Sequence, residues 1–247
     1  MNGGKVGRLL LAGVLFVVLV GLVLLVARQE QGQAGALFCS GCGRLTTRML
    51  LVAVSLGLWF LTQSLIGGRS CKDGQIGDLL HDLSAPWNRW LQGHEKTTNA
   101  ILIISSAFID LFAIYLIGTG LLGATLRPFI ALLILFAFRQ VCQALCALPV
   151  PPGMIWRNPG FPSLLVTYGV SNDFFISGHT AIAVLGAIEI AHGFPPGIGV
   201  AAGIVAALEG LTVIVLRAHY TLDVLGAVVA AFCAAGLAAT LCRMAGI

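Results

Sequence analysis

Residues 177–223 read SGHTAIAVLGAIEIAHGFPPGIGVAAGIVAALEGLTVIVLRAHYTLD, and this stretch decides the fold. Two apolar runs, 180–194 and 197–217, flank the break Gly193-Phe194-Pro195-Pro196-Gly197. Proline and glycine at that density end one helix and start another. A helix needs about 20 apolar residues to cross the hydrocarbon layer, so the two runs are predicted to form an antiparallel hairpin across a bilayer. His179 opens the hairpin and His219 follows it, which puts both on one membrane face. The runs lack the apolar-polar alternation of barrel strands, so the predicted fold is all-α.

The rest of the chain agrees. Of its 247 residues 58% are hydrophobic and 10% charged, and its mean hydropathy is +0.97. Soluble domains are about 45–50% apolar and about 25% charged. Further apolar runs lie at 9–27, 49–67, 98–122, 128–148 and 221–242. The expected architecture is a polytopic membrane helical bundle with a six-helix core and one N-terminal hydrophobic helix. Residues 1–48 form an anchor or signal-like helix and polar linker, and 49–247 form the six-helix domain. The 9–27 run exceeds the usual signal-peptide apolar region, so an uncleaved anchor is expected. The net charge of +4 is small and scattered, which gives no case for nucleic acid.

Two loops share the face of the histidines. Segment 68–97 carries Leu79, Leu80, Trp87 and Trp90 at spacings that suggest a helix in the headgroup layer, anchored by tryptophan. Segment 149–178 is stiffened by Pro149, Pro151, Pro152, Pro159 and Pro162, and its Phe161, Phe174 and Phe175 are placed to dip into the interface. Lys and Arg are spread almost evenly between the two sides, so the positive-inside rule does not orient the bundle. Seven cysteines, an odd number, give no disulfide framework. Cys39-Ser40-Gly41-Cys42 lacks a second pair or a nearby histidine, so no metal is expected. No cofactor is expected either.

Two strings carry chemistry. The i, i+4 spacing of His219 and Asp223 puts them on one face near the start of the last helix. Asp223 would accept a hydrogen bond from one imidazole nitrogen, which fixes the tautomer and frees the other to attack. Ser177-Gly178-His179-Thr180 opens a helix whose free N–H groups favour an anion. Gly178 allows close approach of a phosphate, Ser177 donates a hydrogen bond, and His179 protonates a departing alkoxide. Each string alone reads as an interfacial polar cap; two on one face fit phosphoryl transfer through a phosphohistidine. Thr180, Tyr220, Arg217, Arg139 and Asp173 are candidate phosphate or substrate ligands beside them. Arg217 also has a snorkelling alternative, and Asp173 could bind a head-group cation or start the helix. A buried Asp110–Arg139 pair is the expected structural use of those two residues. Glu189 and Glu209, inside the hairpin, are open between proton carriage, acceptor contact and plain structural polarity.

These residues resemble a known pattern. Phe138-Arg139, Leu148-Pro149-Val150-Pro151, Asp173 four residues before Ser177-Gly178-His179-Thr180, and His219-Tyr220-Thr221 followed by Asp223-Val224 span roughly 98–242. In this order they resemble the sphingomyelin synthase-related branch of the lipid phosphatase and phosphotransferase superfamily, which includes plant phosphatidylcholine:diacylglycerol cholinephosphotransferases. The resemblance implies a six-helix core with its reaction centre on the non-cytoplasmic face. It also implies His219 as nucleophile, Asp223 as its orienter, His179 as acid, and a metal-free transfer between lipids. The related phosphatases carry a lysine where Gly120 stands, seven residues before Arg127-Pro128. They also carry Ser-Arg where Thr212-Val213 stand. These departures favour transfer over hydrolysis. Ser171-Asn172 replaces the Cys-Gly of sphingomyelin synthases, which leaves choline specificity and a ceramide acceptor open. The expected partners are a phospholipid donor, a lipid-alcohol acceptor and the bilayer. The alternatives are a lipid-phosphate phosphatase and a non-catalytic scaffold or transporter.

Overall fold

The computed structural model describes residues 18–26, 28, 41–66, 76–166, 168 and 174–246. Among them every regular element is a helix: α1 (18–26), α2 (Gly41–Ile66), α3 (Leu79–Gly93), α4 (Glu95–Leu122), α5 (Arg127–Leu145), α6 (Gly178–Gly193), α7 (Pro196–Val215) and α8 (Thr221–Ala245). Five of these, α2, α4, α5, α7 and α8, are long and apolar enough to cross a membrane. The protein is therefore an integral, multi-pass membrane protein. The expected sixth core span, α6, has 16 residues and rises about 24 Å. It stays short because Ser177 caps it at one end and Pro195 blocks it at the other. The CxxC pair lies outside the described residues, Cys42 being described in its backbone alone.

Helix α6 is the central post, packed by α4, α5, α7 and α8. Without a hydrophobic drive between helices in lipid, close approach depends on small residues. A Cβ on Gly186 would stand 2.4 Å from Cδ1 of Phe112, so only glycine lets α4 reach α6 there. Helix α8 turns Ala227, Ala230, Ala231, Ala234 and Ala238 inward at helical spacing. Leu19 and Val23 of α1 join the same core.

Polar residues inside the bundle have specific partners. Arg127 and Glu189 form an ion pair at 2.5 Å near the face opposite the histidines, with the Glu189 side chain fully enclosed. Glu209 accepts a hydrogen bond from Ser105 at 2.6 Å. Arg48 donates to Gly123 O at 2.8 Å, covering the carbonyl end of α4.

The expected Asp110–Arg139 pair does not form. Counted from the ends nearest the histidines, Asp110 lies fifteen residues down α4 and Arg139 six up α5, a difference in depth of about 13 Å. Asp110 instead accepts from the amides of Leu164 and Leu165, at 2.8 and 3.2 Å. The proline-rich loop thus dips beside α4 further than an interfacial loop would, with Leu165 and Val166 in the core. Irregular backbone survives at membrane depth only where its polar groups are satisfied within the protein, and Asp110 does this.

Candidate active site

The Ser-Gly-His string is prepared by strained backbone. Phe175 and Ile176 have φ of 71° and 68°, a region that costs a bulky or β-branched residue about 1–3 kcal/mol. Arg139 holds this turn, its Nε donating to Ile176 O at 3.1 Å. Its guanidinium lies in van der Waals contact with the place a Cβ on Gly178 would take, 3.4 Å away. Helix α6 then starts at Gly178, as expected. The Ser177 hydroxyl accepts from Thr180 N at 3.3 Å and from Thr180 Oγ1 at 3.1 Å. Its own hydrogen remains available to a further acceptor. His179 is buried, and Trp156 stands edge-on to it with ring centroids 4.9 Å apart.

The second string departs from expectation in one respect. His219 is not on the last helix: Tyr220 is its N-cap and Thr221 its first residue. The cause lies upstream. Arg217 takes the left-handed conformation (φ 54°) and ends α7 in a Schellman turn, with Ala218 N donating to Val213 O at 2.8 Å and Arg217 N to Ile214 O at 2.9 Å. His219 therefore sits in a three-residue connection between two helices. The predicted partnership is still present. Nδ1 of His219 stands 3.4 Å from Oδ2 of Asp223, in ion-pair range though not aligned as a hydrogen bond. Oδ2 also accepts from Tyr220 N at 3.0 Å. Catalytic contacts of this kind tighten when substrate binds.

The two strings are joined directly: Ser177 N donates to Asp223 O at 3.1 Å. That bond sets the start of α6 against the start of α8. His219 and Asp223 are enclosed with Ser177 and Thr180, all under 6% exposed, and Phe174 stands over the His219 ring at 6.2 Å.

Three residues of α3 that sequence reasoning missed hold this arrangement. Asp78 caps α3 through Leu80 N and His81 N, at 3.0 and 3.2 Å. The same carboxylate accepts from Thr221 N and Thr221 Oγ1, each at 2.6 Å, so it also caps α8. Burial pushes the Asp78 carboxyl up, but the hydrogen bonds from Thr221 and the His81 amide outweigh it and hold it below the usual carboxylate range. His81 Nε2 donates to the carbonyl of His219 at 2.9 Å. Asn88 donates to Val215 O at 2.9 Å and Gly153 O at 3.2 Å. A polar stripe at 81, 84 and 88, opposite exposed Leu79, Leu83, Trp87 and Trp90, was the available signal.

The remaining candidates divide. Arg139 and Thr180 lie at the Ser-Gly-His turn. Tyr220 is buried, with its hydroxyl on Pro149 O at 3.1 Å. Arg217 spends its guanidinium on Pro152 O at 2.5 Å and His81 O at 3.1 Å, and none of its hydrogen bonds reaches the 177–180 turn. Asp173 lies outside the described residues. Among the described residues no cluster of His, Cys, Asp and Glu is arranged to hold a metal ion.

Fold and site together define a class: a multi-pass helical membrane protein with two histidines and an aspartate enclosed at one end of its bundle. A family model described as AtPDCT1/2 matches residues 78–240, more than half of the chain, and the chain belongs to that family. The match begins at Asp78, the residue that caps both α3 and α8. A curated relative, phosphatidylcholine:diacylglycerol cholinephosphotransferase 1 of Arabidopsis thaliana, is 24% identical over 136 residues. That alignment covers 55% of this chain and 44% of the relative, so the chain spans less than half of the relative's length. No solved structure matches.

Proposed function

We propose that the protein is a lipid head-group phosphotransferase working through a phosphohistidine. The observation that carries this reading is the Ser177–Asp223 backbone bond, which joins a helix start suited to an anion to an oriented histidine. The relative named for cholinephosphotransfer between phosphatidylcholine and diacylglycerol supports the same chemistry.

In the first half-reaction Nε2 of His219 attacks the phosphorus of a glycerophospholipid. The bond from phosphorus to the glycerol oxygen breaks, and His179 gives its proton to the departing alkoxide. The head group is left on His219, and a diacylglycerol departs. Asp223 faces Nδ1, holds the tautomer and stabilises the positive ring. Arg139 and the amides at the start of α6 offset charge on the phosphoryl oxygens. In the second half-reaction His179 takes the proton of an acceptor alcohol, whose oxygen attacks phosphorus as the P–N bond breaks. With diacylglycerol as acceptor, entering and leaving groups are chemically alike, so the exchange is near thermoneutral and reversible. Both lipids present their polar ends at the interface where the site lies, and the reading places that face away from the cytoplasm.

Purified protein in vesicles, given head-group-labelled phosphatidylcholine and unlabelled diacylglycerol of distinct chain composition, should yield labelled phospholipid with the acceptor's chains. Ceramide in place of diacylglycerol tests the other acceptor. Release of free phosphate or phosphocholine without any transferred head group would make the protein a hydrolase and sink the proposal.

A further inference from the structure

A groove of about 470 Å³ runs between α6, α7 and α8, within the range of small-ligand pockets. Thr180 and Val184 form its floor, Gly203 and Ala207 one wall, and Val228 and Phe232 the other. Nearly all its lining is hydrocarbon, and the exposed edges at Gly203, Ala207 and Phe232 open it sideways to lipid. It exists because α6 packs closely on both partners while α7 and α8 meet only sparsely.

Helix packing accounts for some of the small residues on the α7 wall. A Cβ on Gly199 would stand 2.9 Å from Cα of Ala191, so glycine is needed there. At Gly203 a Cβ would meet nothing within 4 Å. Glycine inside a helix costs about 1 kcal/mol relative to alanine, and no neighbour requires it at 203. What it leaves is open groove.

The upper end of the groove reaches the candidate site. Thr180 lines it and follows His179 in the chain; Val224 lines it and follows Asp223. A Cβ on Gly210 would lie 3.3 Å from Val224 and 3.9 Å from Thr180, so these walls nearly meet just beneath the two strings. From Thr180 the groove descends to Ala191, about 16 Å along α6. That is about half the 30 Å hydrocarbon layer, the depth of one leaflet. A helix about 10 Å across does not fit beside this floor; a single hydrocarbon chain does.

We infer that the groove holds one acyl chain of the phospholipid donor. This rests on the phosphotransfer reading, because a phosphate between the histidines fixes which lipid hangs its chain there. The groove then selects by chain length and keeps the donor's phosphorus in line with His219.

Gly203→Trp fills the groove from a position with no packing role, and Leu208→Trp, on the exposed outer face of α7, is the matched control. Two readouts decide. Phosphatidylcholine with a photoreactive group midway along one chain should label α7 and α8 peptides lining the groove in the unaltered protein and in Leu208→Trp. That labelling should fall at least about tenfold in Gly203→Trp. With acceptor fixed, Gly203→Trp should raise KM for long-chain donors by about tenfold, the effect of a few unburied methylenes. KM for six-carbon donors and kcat should be unchanged. Labelling elsewhere, an equal loss for long and short donors, or sensitivity to acceptor chain length instead would overturn the assignment. Absence of transfer by the unaltered protein would remove the phosphotransfer chemistry, while the labelling would still decide whether a phospholipid chain occupies the groove.

Discussion

At the scale of single residues, the site depends on groups that hold one another before any substrate arrives. Asp223 serves three partners: its Oδ2 faces His219 and accepts from Tyr220 N, and its carbonyl accepts from Ser177 N. The carbonyl survives any substitution, so side-chain changes leave the two strings joined. His219→Ala should therefore abolish head-group transfer with little change in thermal stability. Asp223→Asn should keep the fold and lower kcat by about 10²–10⁴-fold through a misoriented ring. Both are checked by transfer rate and detergent-solubilised unfolding on the same preparations; normal turnover by His219→Ala would end the phosphohistidine mechanism. The candidate residues were legible in the sequence because histidine and carboxylate at the end of an apolar run are costly without a purpose. Their detailed placement was not. Nothing in the string Leu216-Arg217-Ala218-His219 announces that arginine will take a left-handed turn, end the helix and leave His219 in a loop. Arg139 and Asp110 were misjudged for a related reason: adjacent antiparallel helices bring two charges together only at equal depth, and depth depends on helix ends that periodicity gives to within a few residues.

At the scale of elements, the spans were legible and their uses less so. Long apolar runs broken by Pro and Gly leave little choice in lipid, so α4, α5, α7 and α8 stand near their expected bounds. Segment 68–97 was legible as an interfacial helix from its tryptophans, but its inward face was not pursued. That face carries Asp78, and Asp78→Ala removes one acceptor from two helix starts. A lost N-cap costs about 0.5–2 kcal/mol, so a drop in stability at or above that range is expected. Because the folded carboxyl lies below its ordinary value, its contribution is complete above about pH 4 and fades as the pH falls through the folded value. Asp78→Asn should flatten that acid limb, as unfolding measured between pH 3 and 7 would show. The dipping loop makes a second prediction. Asp110→Ala leaves the Leu164 and Leu165 amides without their acceptor, at about 1–3 kcal/mol for each buried group. Asp110→Asn keeps an acceptor oxygen and should cost less. Equal stability of the two variants would mean the loop is held by packing alone.

At the scale of the whole molecule, the polar work is divided between the two ends of the bundle. The histidine end carries the candidate chemistry; the other carries Arg127 with Glu189 and Arg48 over the end of α4. Arg127→Ala strands an enclosed carboxylate, a change that costs about 3–5 kcal/mol for a buried pair. It should lower the unfolding temperature markedly while leaving the transfer rate per folded molecule near normal. A selective loss of kcat with unchanged stability would show that the two ends are coupled. One feature also bears on how the molecule is made. The carboxylate of Asp78 and its ligand Thr221 are 143 residues apart. The chain emerges in order, so α3 reaches the membrane surface with its cap half used and waits through four further helices for α8. The catalytic end is thus the last part to close, and a chain halted before residue 221 holds a scaffold with no finished site. Biogenesis itself keeps reactive lipid chemistry switched off until insertion is complete.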